Sequence, residues 1–219
     1  MNFDKKLVIE TGAMEWSHSP APNVFRKPLE REAAESGHTT SVVRYEAGAS
    51  FSTHSHPKGE EIYVLEGVFS DEDGDYPAGT YLRNPPGSHH APFSREGCVL
   101  FVKLNQFDLS DRSKIRINTL ETPWHPGQGN LEVMPLHQFQ AMGTALVKWP
   151  KGERFAPHKH WGGEEIFVLE GEFIDEHGNY PKGTWIRSPH LSTHFPFVEQ
   201  ETLILVKTGH LPVLDNKRS

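Results

Sequence analysis

Gly59-Glu-Glu-Ile-Tyr-Val-Leu-Glu-Gly67 and Gly163-Glu-Glu-Ile-Phe-Val-Leu-Glu-Gly171 are one segment written twice, 104 positions apart. Working outward at that offset, Gly48 to Phe93 aligns without a gap on Gly152 to Phe197, and 26 of the 46 positions are identical. Identity at that level in an ungapped window marks an internal duplication. The likeness continues more loosely upstream, where Trp16 is echoed by Trp124 and Pro28-Leu29 by Pro135-Leu136. A solenoid needs more and shorter units, so the duplication implies two tandem domains. The polar stretch Asp108 to Lys114 lacks the alternation of its flanks and sets the join, giving domains at 1–109 and 110–219.

The repeated unit reads as β-structure. Thr40 to Tyr45, Glu61 to Leu65, Cys98 to Lys103 and Thr202 to Lys207 are short and rich in β-branched or aromatic residues. Turn signals separate them, among them Asp73-Gly74, Tyr76-Pro-Ala-Gly79 and Asn84-Pro-Pro-Gly87, with counterparts at His177-Gly178, Tyr180-Pro-Lys-Gly183 and Ser188-Pro189. Leu29 to Glu35 favours a helix by composition, but Ser36-Gly37 just beyond it can close a hairpin before Thr39, and the reading adopted is strand. Many short strands between Gly/Pro turns predict an all-β chain, and domains this small favour a jelly-roll barrel in each half.

Composition narrows the function classes. A formal net charge of −7 with no Lys/Arg cluster argues against nucleic acid as a partner. The longest apolar runs fall far short of the roughly 20 residues of a membrane span, and no secretory leader is visible at Met1 to Glu10, so a cytoplasmic location is expected. Cys98 is the single cysteine, which leaves no intrachain disulfide and no zinc site built from cysteine pairs. Any metal must be held by other donors, and the chain has 14 histidines.

His54 and His56 stand two apart, a spacing that sends both imidazoles to one face of a strand. A lone pair of this kind is usually just solvated. Here Glu60 follows at the opening of the next strand and His90 follows a Pro-Pro-Gly turn, and all four recur as His158, His160, Glu164 and His194, each 104 residues later. Three imidazoles and a carboxylate inside a barrel need partners, and one cation satisfies all four together. Each domain is therefore expected to bind one divalent transition metal. Three nitrogens and one oxygen suit Zn, Fe, Mn, Ni or Cu better than Ca or Mg.

The spacing resembles the two signature motifs of the cupin superfamily. Gly48, His54, His56, Glu60 and Gly67 meet the first, and Gly79, Pro85, Gly87 and His90 meet the second. Gly152, His158, His160, Glu164, Gly171, Gly183, Pro189 and His194 repeat both, except that Leu191 stands where a glycine is expected, in a turn that favours positive φ. Within the superfamily, the run from Gly59 through Phe69-Ser-Asp-Glu-Asp-Gly-Asp-Tyr-Pro77 to His90 is similar to the ChrR-type cupins. That resemblance implies a tandem bicupin. Reference members are anti-sigma factors with an additional helical, zinc-binding domain, and they respond to singlet oxygen or organic hydroperoxides. With one cysteine and a second cupin in place of the helical domain, this chain departs from them, and direct sigma-factor binding does not carry over.

Two functions follow as expectations. One is a metal-dependent sensor or regulatory module in which an oxygen species or small ligand reaches open coordination positions. The other is a cupin dioxygenase acting on a small diketone, flavonol or hydroxyketone, with Glu60 and Glu164 as both ligand and catalytic base and with Ile62, Val64, Ile166 and Val168 on the same face as apolar wall. A homo-oligomer is compatible with either. Arg83 and Arg187 recur in both halves and are assigned to structural ion pairs, His89 is ranked below His90 as a ligand, and Trp16, Trp124, Tyr81 and Trp185 are assigned to packing.

Overall fold

A computed structural model describes residues 1–34 and 36–213. Among the described residues the structure is all-β apart from a single turn of 3-10 helix at Thr11–Ala13. The described residues divide into two compact units, one of Met14–Thr122 and one of Asn2–Ala13 together with Pro123 to Val213.

In the first unit the main antiparallel sheet runs in the order Ile115–Asn118, Thr80–Asn84, Glu60–Asp71, Cys98–Leu104, Thr39–Tyr45, Val24–Arg31, Ser17–His18. The far half of Glu60–Asp71 bends away to pair with Gly74–Pro77, and a separate two-stranded ribbon joins His54–His56 to Ser88–His90. The second unit repeats this plan in the order Leu7–Glu10, Thr184–Ser188, Glu164–Glu170, Thr202–Thr208, Met142–Trp149, Glu132–Phe139, His125–Pro126. Both are jelly-roll barrels.

The edge strands explain why the units depart from the expected division at 109 and 110. Leu7–Glu10 opens the first repeat but pairs with Thr184–Ser188 of the second, and Ile115–Asn118 opens the second repeat but pairs with Thr80–Asn84 of the first. The registers correspond: Leu7 faces Arg187, and Ile115 faces Arg83. Each barrel thus completes its sheet with the leading strand of the other repeat, an exchange that composition and period do not encode.

The alternation seen in the sequence fills the interior. Ile62, Val64, Leu82 and Leu100 form one core with Tyr45 and Phe69, and Ile166, Val168, Ile186 and Ile204 form the other with Trp149 and Phe173. Burying each such aliphatic side chain stabilises the fold by roughly 1.5–3 kcal/mol. Gly67 ends the straight part of its strand with φ of 71°, where any Cβ would run into the Gly97 carbonyl. The segment near Leu29 is strand through Arg31 and then turns back at Thr39, with Glu32 N donating to His38 O at 2.9 Å. The hairpin reading is the observed one there, and Glu35 lies outside the described residues. Among the described residues no helix is long and apolar enough to cross a membrane.

Arg83 makes the expected structural ion pairs. Arg83 lies 2.6 Å from Asp111 and 3.3 Å from Glu61, stacked 3.7 Å from the Phe107 ring centroid. Arg187 donates to the carbonyls of Asn2 and Lys5. Tyr81 and Trp185 are buried and donate to Glu61 and Glu165 at 2.7 Å.

Candidate metal centres

Each centre is built on the two-stranded ribbon of its unit and on the glutamate that opens the next strand. In the first unit the ribbon register sets His54 opposite His90, and the turn leading to His90 is fixed by Gly87 N donating to His56 O at 2.9 Å. In the second, His158 sits opposite His194 and Leu191 N donates to His160 O at the same 2.9 Å. Leu191 adopts φ of 58° against 83° at Gly87, so the turn survives the missing glycine and delivers His194 to the cluster.

The imidazoles converge. His54, His56 and His90 each offer a nitrogen within 4.8 Å of the others, as do His158, His160 and His194, and each triad could hold a metal ion. His54 Nδ1 is directed at Ser52 O at 2.9 Å and His158 Nδ1 at Ala156 O at 3.1 Å, which leaves the opposite nitrogen of each ring for the cluster. Glu60 Oε2 lies 3.5 Å from His56 Nε2 and 3.4 Å from His90 Nε2, and Glu164 approaches His160 and His194 at 3.5 Å each. Asn84 Nδ2 donates to Glu60 Oε2 at 2.8 Å. His89, by contrast, is exposed.

Two observations test whether a cation fits. The Nε2 atoms of His56 and His90 are buried without a hydrogen bond, a costly state that a bound ion would relieve. His160 Nε2 and His194 Nε2 face each other at 3.0 Å, which is the separation of two nitrogens held about 2.1 Å from one ion at right angles. Electrostatics hold three of the imidazoles neutral, whereas at His90 burial is outweighed by Asp71 and Glu60, which raise it. Burial, and then the neighbouring His194 and His158, push His160 down to about 3, and burial lowers His56 and His158 as well. Burial also pushes the Glu164 carboxyl up to about 7, against the opposing pull of His194 and Lys6.

Behind the third histidine of each triad stands an aspartate that the sequence reading passed over. His90 Nδ1 is 3.4 Å from Asp71 Oδ2, and His194 Nδ1 is 3.6 Å from Asp175 Oδ2. Tyr76 donates to Asp71 at 2.9 Å and Tyr180 to Asp175 at 2.8 Å. Burial works against both carboxylates, yet hydrogen bonds from the histidine, the tyrosine and a local backbone amide hold them below the usual carboxylate range. A carboxylate on the outer nitrogen fixes the tautomer of a ligating imidazole and raises its basicity. The signal was present, because both Asp and both Tyr are identical pairs at the offset of 104.

The first barrel also holds a cavity of about 500 Å³ that reaches His54, His56 and Glu60. Its wall is apolar at Val43, Phe51, Ile62, Leu100 and Val102 and polar at Arg26, Arg31 and Ser41. Sheet register puts Val133 at the place of Arg26, Gln138 at that of Arg31 and Ala145 at that of Ser41 in the second barrel. The two halves share their triads and differ in what lines the barrel.

Solved structures with the same architecture are distant in sequence. A putative dioxygenase from Nostoc punctiforme shares 16% identity with a TM-score of 0.77, covering 97% of this chain and 85% of that one. The bacterial pirin YhhW from Escherichia coli, in complex with nickel(II), shares 14% at a TM-score of 0.71, covering 96% and 100%. Oxalate decarboxylase of Bacillus subtilis, with Mn(II) centres, shares 13% at 0.65, covering 94% and 78%. At these identities the likeness is one of fold. No protein of curated description matches the sequence. The model of the ChrR cupin-like domain matches residues 4–108 and again 112–212. A match that spans both repeats almost end to end means that the chain belongs to the family of ChrR cupin-like domains, two of which it carries in tandem.

Proposed function

We propose that the protein is a metal-dependent bicupin whose N-terminal centre acts on a small oxygenated molecule, a diketone, flavonol or hydroxyketone, in a dioxygenase-type reaction. The carrying observation is the cavity of about 500 Å³ that opens onto His54, His56 and Glu60. In this reading His54, His56, Glu60 and His90 hold one divalent transition metal and His158, His160, Glu164 and His194 a second. A bound ion of this kind supplies Lewis acidity and open positions for oxygen donors. Ile62, Leu100 and Val102 exclude water from the substrate, Arg26 and Ser41 anchor its polar end, and Glu60 takes its acidic proton. The C-terminal centre, whose barrel carries Val133 and Ala145 at the matching places, serves structure in the first instance. The protein works in the cytoplasm on small molecules, without nucleic acid or membrane.

Oxygen uptake by Fe(II)-, Mn(II)- and Ni(II)-loaded protein against a panel of those substrates tests the reading. Turnover is expected to vanish in His54→Ala, to persist in His158→Ala, and to vanish in Leu100→Trp while the metal content holds. Turnover that survives Leu100→Trp, or no turnover with any loaded form, overturns it.

A second reading rests on the family match across both repeats: a regulatory module that reports an oxygen species through its metal. Singlet oxygen or an organic hydroperoxide would then release metal and change conformation. Unchanged metal content and circular dichroism after exposure would remove this reading.

A further inference from the structure

The aspartate behind each triad is itself met by a cation, and in both units that cation comes from the exchanged leading segment. In the first unit it is Arg116, on strand Ile115–Asn118. Its guanidinium lies 3.8 Å from Asp71 Oδ2 and donates from Nε to the Tyr76 hydroxyl at 3.2 Å. The same side chain donates to Asn84 Oδ1 at 2.7 Å, and Asn84 in turn donates to Glu60. Arg116 therefore reaches His90 through Asp71 and Glu60 through Asn84. In the second unit it is Lys6, just before strand Leu7–Glu10. Its ammonium lies 2.9 Å from Asp175 Oδ2 and 2.8 Å from the Tyr180 hydroxyl.

Duplication does not explain this agreement. In the matched registers Arg116 corresponds to Val8, and Lys6 to Lys114, whose ammonium pairs instead with Asp73 on the surface. Two non-equivalent positions on two exchanged segments supply the same charge to the same carboxylate. An aspartate set against a buried imidazole keeps its place as a negative acceptor only if its charge is balanced, and a partly buried cation balances it. Both side chains are largely covered, at 23% and 27% exposed.

We propose that Arg116 and Lys6 are positioning residues for the metal centres, each supplied by the repeat that does not hold the centre: Arg116 orients His90 and Glu60 through Asp71 and Asn84, and Lys6 orients His194 through Asp175. The proposal rests on the reading of the triads as metal sites. Completion of either centre thus depends on a residue from the other repeat, and Lys6 of the first repeat serves the last histidine of the second.

The test uses full-length protein loaded with Co(II) in two backgrounds, His158→Ala/His160→Ala to keep the N-terminal centre and His54→Ala/His56→Ala to keep the C-terminal one. Chelator competition gives the dissociation constant, and the visible d–d bands report ligand geometry. Arg116→Met is expected to weaken Co(II) about 10- to 100-fold and shift the bands in the first background only. Lys6→Met, or deletion of residues 1–6, is expected to do so in the second background only, and Arg116→Lys and Lys6→Arg to restore most of the loss. Equal affinity and spectrum in variant and parent overturn the proposal, as does an equal loss at both centres, which marks general destabilisation. If Arg116→Met does not fold, the Lys6 variants and the deletion decide. If neither parent background takes up Co(II), the metal reading itself has failed, a result distinct from the others.

Discussion

Asn84 donates its side-chain amide to Glu60 Oε2 at 2.8 Å, the same oxygen that lies 3.4 Å from His90 Nε2. The bond fixes which oxygen of the carboxylate is turned toward the imidazoles. At the corresponding position of the second repeat stands Ser188, a shorter side chain. Replacing Asn84 by Leu is expected to weaken metal binding at the N-terminal centre by about tenfold, within the range seen when the partner of a ligand is removed. Ser188→Asn is expected to tighten the C-terminal centre. Chelator competition measures both, and an unchanged affinity in Asn84→Leu would show that the amide does not hold the carboxylate.

Proton release separates the C-terminal centre by pH. Burial raises the Glu164 carboxyl to about 7, so it keeps a proton at pH 6 that an incoming cation must displace. His160, pushed down to about 3, has none to give there. With the N-terminal centre removed by His54→Ala/His56→Ala, affinity is expected to fall about tenfold per pH unit below 7. Metal titration in weak buffer should release about one more proton at pH 6 than at pH 8, and Glu164→Gln should abolish the difference. Equal release at both pH values would refute the assignment.

Leu191 holds φ of 58° where Gly87 holds 83°. The left-handed region costs a side-chain-bearing residue about 1–2 kcal/mol, less what a glycine gives back in the unfolded chain. Leu191→Gly is expected to stabilise the metal-free protein by roughly 0.5 kcal/mol. Gly87→Ala is expected to cost about 1 kcal/mol, through the backbone alone, since no atom lies within 4 Å of the new Cβ. Urea denaturation of both variants checks the pair, and a destabilised Leu191→Gly would mean that the leucine side chain has a role in packing.

Cys98 is 4% exposed, and burial pushes its thiol up to about 11. The thiolate is the reactive form, so at pH 8 the native protein is expected to resist alkylation. As the chain has one cysteine, labelling should track opening of the first barrel as urea is added. Rapid labelling of the native protein would contradict the packing of strand Cys98–Leu104.

Much of this was legible in the sequence because a duplication shows which residues vary together with position. The offset of 104 exposed the barrels, the strands around Ile62 and Ile166, and the eight candidate donors at once. Leu191 was readable as an anomaly for the same reason. What escaped were relations across the duplication. Nothing in the alternation of Leu7–Glu10 or Ile115–Asn118 says which sheet each strand joins, since an edge strand of suitable period satisfies either. Arg116 and Lys6 escaped with them, because they sit at non-matching positions and gain meaning only from the strand that carries them. Asp71 and Tyr76 were visible as repeated residues, but a turn-flanking aspartate reads as a turn signal until a histidine is seen behind it.

The pairing of Leu7 with Arg187 joins residues 180 positions apart. During translation Leu7 leaves the ribosome well before its partner strand, and its place in a sheet waits for Thr184–Ser188. The nascent chain can close the first jelly roll once Asn118 emerges, but the second closes only by calling back the segment around Leu7. Pairing over so long a separation is slow, so the order of synthesis makes the second half the late folder.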